Sequence, residues 1–113
     1  KKIVIKNPNQ IRDFIYVKEI AETIIKNLNN SVINGHIINL GSGKGIKLKK
    51  IAKLICDKFK HKNFEFVDNK KKIHKEKLVA NISKAKKILK WSPKKKFSDY
   101  LDITIEHYKN ASQ

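Results

Sequence analysis

The chain has 113 residues and a formal net charge of +17, with 27 lysines and arginines against 10 acidic side chains. That length makes one domain, or part of one, with a modest core. No apolar run approaches the roughly 20 residues of a membrane helix, no signal peptide is visible, and the single cysteine, Cys56, excludes an internal disulfide and fits a reducing, cytoplasmic setting.

The charge invites a nucleic-acid reading, and the composition argues against it. Lysine, isoleucine and asparagine number 26, 18 and 11, a trio that AT-rich codons favour whatever the function. Nucleic-acid surfaces favour arginine and interleaved aromatics, whereas here lysines spread over every segment and arginine occurs once, as Arg12. A basic module binding nucleic acid or another polyanion is kept as the rival reading. The absence of methionine implies that the chain is a piece of something longer.

In chain order, Ile3-Val4-Ile5 reads as a short strand ended by the turn signal Asn7-Pro8-Asn9. Ile11, Phe14, Ile15 and Val17 read as a second strand, and the compact turn between the two predicts a hairpin. Arg12 stands in this stretch beside Asp13. Its rigid fork suits a carboxylate or a phosphate, so an internal ion pair and an anion site are both open. From Val17 the period becomes helical through Ile20, Ala21, Ile24, Ile25 and Leu28, and Asn34-Gly35 turns the chain.

His36-Ile37-Ile38-Asn39-Leu40 is apolar without alternation, as expected of a strand covered on both faces. Gly41-Ser42-Gly43-Lys44-Gly45 follows and leads into a helix with Leu48, Ile51, Ala52, Leu54, Ile55 and Phe59 on its face. These glycines match neither GxxxxGK[ST] nor GxGxxG and read as a tight structural turn. Cys56 falls in this apolar pattern, as a buried inert thiol.

Phe64, Phe66 and Val67 form a further strand. Residues 68–77 are a charged run, read by default as a solvated loop and otherwise as an anion site. After Leu78-Val79-Ala80, Ser83 is expected to cap the helix SKAKKIL, and Ser98 a final helix with Leu101, Ile105 and Tyr108. The order of elements predicts an α/β protein, with no repeat and no dividing linker. His36, His61, His74 and His107 lie at no metal-ligand spacing, and no nucleophile or acid/base pair can be argued.

Three stretches in order then carry a resemblance: RDFIYVKEIAETI, INLGSGKGIKLKKIAKLI and ANISKAKKILKWSP. Together with the closing helix they resemble the C-terminal part of extended short-chain dehydrogenases/reductases, the NAD-dependent epimerases and dehydratases of nucleotide sugars. The resemblance covers nearly the whole chain. It implies a C-terminal substrate-binding domain over residues 1–113, a lobe of an extended Rossmann-type enzyme with short strands alternating with helices. NAD(P) would be bound mainly by an N-terminal dinucleotide-binding half absent here, and no cofactor by this piece.

The family's Tyr-x-x-x-Lys pair is not found, since neither Tyr16, Tyr100 nor Tyr108 has a lysine four residues on. The piece is therefore expected to be non-catalytic. By resemblance Arg12 reaches the pyrophosphate of a nucleotide-diphosphate sugar. Lys70 and Lys71, beside Lys72, stand where the family carries a second phosphate-binding arginine. Departures from the pattern are Glu19 and Asn81 for aspartates, Lys90 for a glycine, and Lys47 for a capping serine or threonine, a loss of about 1 kcal/mol. A homodimer is implied for the intact enzyme. The apolar run 36–40, suited to a larger sheet, is expected to make the piece self-associate or strand-swap, or else to leave it loose around residues 36–45. A degenerate homologue with a decayed site is the second rival.

Overall fold

The computed structural model describes residues 1–68 and 76–111. In chain order the elements are β1 (Ile3–Lys6), β2 (Ile11–Asp13), α1 (Val17–Asn27), a 3-10 turn (Ser31–Ile33), β3 (Gly45–Lys47), α2 (Leu48–Lys58), β4 (Phe64–Val67), β5 (Lys77–Leu78), α3 (Ser83–Leu89) and α4 (Phe97–Ala111). The predicted α/β class is borne out. Two compact units divide the chain, one built from Lys1–Asp13 and Gly43–Val79, the other from Phe14–Ser42 and Ala80–Gln113.

The first unit holds all the described strands and α2. β1 pairs in parallel with β4, from Ile3 opposite Phe64 to Lys6 opposite Val67. β2 is the centre of a three-stranded sheet, antiparallel to β3 and parallel to β5. The expected hairpin between β1 and β2 is therefore not formed. A local turn does exist, with Asn7 at φ 53° and the Gln10 amide donating to the Asn7 carbonyl at 3.2 Å. The Asn7 amide, however, donates to the Val67 carbonyl at 2.9 Å, which extends the β1–β4 ladder and sends the two strands into different sheets.

Lys47, at the N-cap of α2, makes no side-chain cap, as the sequence leads one to expect. Main-chain carbonyls do that work instead. The Leu48 amide donates to the Gln10 carbonyl at 2.9 Å and the Lys49 amide to the Pro8 carbonyl at 2.8 Å. Two of the orphan donors of the first turn are thereby satisfied by the β1–β2 turn. Cys56 on α2 is buried, as expected.

The second unit is helical. Its core is small: Ile82, Ala85, Tyr100, Leu101 and Ile105, with Thr23 and Glu19 buried among the polar residues. Tyr100 carries much of it. Its ring stacks on Tyr16 at 6.0 Å and meets Phe97 edge-on at 5.3 Å, while its hydroxyl donates to the Phe14 carbonyl. The α1 helix falls where its period places it, yet the residues it buries are Glu19 and Thr23. Of the expected apolar face, Val17, Ile24, Ile25 and Leu28 are 54–72% exposed and Ala21 is exposed, while Ile20 is half-buried.

The apolar run 36–40 forms no strand and has no ladder partner among the described residues. Ile37 is 83% exposed. A continuous apolar run signals burial on two faces only when neighbouring strands are there to pair with it. The two expected serine caps are also replaced. Asn81 accepts from the Ser83 amide at 3.0 Å, and Asp99 accepts from the Lys96 amide at 3.1 Å. Lys90 ends α3 in the left-handed region, at φ 51° and ψ 33°, where a β-carbon is disfavoured and glycine is the usual residue.

Candidate functional site

Arg12 sits at the middle of β2, flanked in the ladder by Ile46 of β3 on one side and Leu78 of β5 on the other. Its main chain is thus held from both edges, and its side chain is half-buried. One guanidinium nitrogen, Nη1, donates to the Ile11 carbonyl at 2.8 Å and reaches the Glu76 carbonyl at 3.5 Å. The other, Nη2, donates to Gln10 Oε1 at 3.0 Å. A strand centre carrying an oriented fork is a stiff mount for recognising a planar or tetrahedral anion.

The glycine segment folds against the same strand. Asp13 Oδ2 accepts from the Gly43 amide at 2.9 Å, where Gly43 has φ 69°. That amide faces a carboxylate, which supports the structural-turn reading of this loop over a phosphate cradle. Gly45 pairs with Asp13 across β2–β3. A β-carbon there would lie 2.8 Å from Val79 Cγ2 and closer still to Ile11 Cγ2. Only glycine lets β3 lie this close to β2.

Of the three expected substrate-binding residues, the structure places Arg12; Lys70 and Lys71 lie outside the described residues. Neither Gln10 nor the Asp13–Gly43 contact belongs to a motif, although Gln10 lies two residues before Arg12, and residues two apart on an extended chain share a face. Among the described residues no cluster of histidine, cysteine or carboxylate could hold a metal ion. No described helix is long and apolar enough to cross a membrane.

A mixed α/β unit around an arginine-centred strand is the frame in which the comparisons with known proteins fall. The family model described as GDP-mannose 4,6 dehydratase matches residues 1–104. The chain belongs to this family, within the extended short-chain dehydrogenases/reductases. UDP-glucuronate 4-epimerase of Thermodesulfobacterium geofontis is 36% identical over 101 residues, 85% of this chain and 29% of that protein.

Among solved structures, a UDP-glucose 4-epimerase of Thermotoga maritima with UDP-glucose superposes with a TM-score of 0.85 at 22% identity, covering all of this chain and 36% of that one. A dTDP-glucose 4,6-dehydratase of Bacillus anthracis in complex with NAD gives a TM-score of 0.78 at 22% identity, over 97% of this chain and 35% of that one. At such identities the two structures establish the fold. The chain spans roughly a third of the length of these relatives.

Proposed function

We propose that this chain is the nucleotide-sugar-binding part of an NAD(P)-dependent epimerase or dehydratase, with Arg12 as the anchor of the diphosphate. The observation that carries this reading is the position of Arg12: it is the chain's one arginine, and it stands at the centre of the three-stranded sheet with its fork oriented. Membership of the family supports the ligand class. Lys70 and Lys71 assist at the phosphates. NAD(P) is held mainly by a dinucleotide-binding half outside these residues, and the intact enzyme works in the cytoplasm as a homodimer. Taken alone, the chain binds the diphosphate and turns over no sugar.

The experiment is a calorimetric titration with UDP, used as a probe, beside a thermal melt. Arg12→Lys keeps the charge and loses the paired donors, so affinity is expected to fall about 10- to 150-fold, the worth of a charge-assisted contact. A purely structural arginine gives a lower melting temperature and unchanged affinity in the folded fraction. Equal affinity of Arg12→Lys and the wild type removes Arg12 from the site.

A further inference from the structure

We propose that Gln10 is the positioning residue of this site, holding the Arg12 guanidinium and extending it into a composite donor array for neighbouring phosphoryl oxygens of a nucleoside diphosphate. The proposal rests on the diphosphate reading of Arg12 and adds to it a second side chain. Gln10 immediately precedes β2 and lies two residues before Arg12, so the extended backbone puts both side chains on one face. Its own backbone is fixed at both ends. The Gln10 amide donates to the Asn7 carbonyl at 3.2 Å, and its carbonyl accepts from the Leu48 amide at 2.9 Å, at the start of α2.

From this mount the Gln10 side chain accepts from Arg12 Nη2 at 3.0 Å. A guanidinium has donors and no acceptor, so the amide can meet it only through Oε1. That choice has a chemical consequence. With the oxygen committed to arginine, the amide nitrogen brings two neutral N–H donors to the same end of the strand. Gln10 restrains rotation of the fork, lowering the ordering cost of binding, and adds donors without adding charge. The Ile11 carbonyl, at 2.8 Å from Nη1, holds the fork from its other nitrogen.

Arg12 is the only arginine in the chain, so its Nε–H gives a single assignable signal in a nitrogen-15 spectrum of the whole 113-residue protein. The variants are Gln10→Met, of similar length with no acceptor, and Gln10→Glu, which keeps the acceptor and loses the donors. UDP is the probe. In the wild type the Arg12 signal is expected to be ordered and to shift on adding UDP. Gln10→Met is expected to increase the mobility of that signal and to weaken UDP binding roughly 3- to 10-fold, the range of one net hydrogen bond.

Gln10→Glu is expected to keep the signal ordered while still weakening UDP, since a negative charge replaces the donors. It keeps the test decisive if Gln10→Met disturbs the backbone spectrum: unchanged UDP affinity in Gln10→Glu overturns the composite array. In an Arg12→Ala background Gln10→Met is expected to cost less than in the wild type, the remainder being the direct donors of the amide, which separates the part that acts through Arg12 from general loosening; an undiminished cost overturns the action through Arg12. Unchanged Arg12 mobility and UDP affinity in Gln10→Met overturn the proposal and leave the Arg12 reading intact. A wild-type Arg12 signal that UDP does not move overturns the Arg12 reading, and this proposal with it.

Discussion

Glu19 is buried, 6% exposed, and its two carboxylate oxygens accept the main-chain amides of Lys94 and Lys95, both at 2.8 Å. These are charge-assisted bonds across 75 and 76 residues of sequence, and they fix the segment that leads into α4. The Glu19 side chain thus has a defined task. Glu19→Gln would keep the size and turn one acceptor into a donor facing an N–H group. It is expected to destabilise the second unit by about 2–3 kcal/mol, the cost of an unsatisfied buried group. Urea unfolding of the two proteins measures it, and a midpoint within error of the wild type would show that the amides find other acceptors. Arg12 was legible because arginine occurs only once. Glu19 was not, because its partners are main-chain groups, which leave no mark in the pattern of side chains.

At the scale of elements, the helices were read closely and the sheets poorly. A helix is held by bonds to residues four away, so its signal is contained in its own segment: α1 begins at Val17 and α3 runs over Ser83–Leu89, as the spacing predicts. The four-residue strands β1 and β4 were legible as short apolar runs, but the partner of a strand is not recorded in its own segment. β3 was absorbed into the glycine turn, and the partner of β1 lies about sixty residues away, in β4. Capping shows how tertiary contacts override a local rule. Because the carbonyls of Gln10 and Pro8 already accept two first-turn amides of α2, Lys47→Ser should stabilise the protein by less than about 0.5 kcal/mol, against the roughly 1 kcal/mol usual for restoring a cap. A gain in melting temperature matching a full cap would mean that those carbonyls do not serve the helix.

For the whole molecule, the candidate site was legible as one arginine and a strand, while the division into two units was not, since each unit draws on two separated segments. The exposure of α1 makes the molecule uneven in what it tolerates. Ile25 is 67% exposed and Ile105 is 8% exposed, though both are isoleucines on helices. Ile25→Lys is expected to change stability by no more than about 0.5 kcal/mol, as at ordinary surface positions. Ile105→Ala is expected to cost about 2–5 kcal/mol. Chemical denaturation of both variants checks the pair, and a large loss in Ile25→Lys would place that face in a packed core. The same apolar face is expected to drive self-association of the isolated chain, so light scattering should give a smaller mass for Ile25→Lys than for the wild type. An equal mass for the two would locate self-association elsewhere.

The bond from Lys94 to Glu19 also sets an order of events at the ribosome. The carboxylate is synthesised 75 residues before the first amide that holds it, and Phe14 precedes the Tyr100 hydroxyl by 86. At translation speeds of about 5–20 residues per second, α1 waits roughly 4–15 s for the segment that completes its unit. Throughout that interval Glu19 and Thr23, which the finished fold buries, stay open to water. Slowing elongation beyond residue 42 would lengthen this exposed period, and it is then that a chaperone has the most surface to bind.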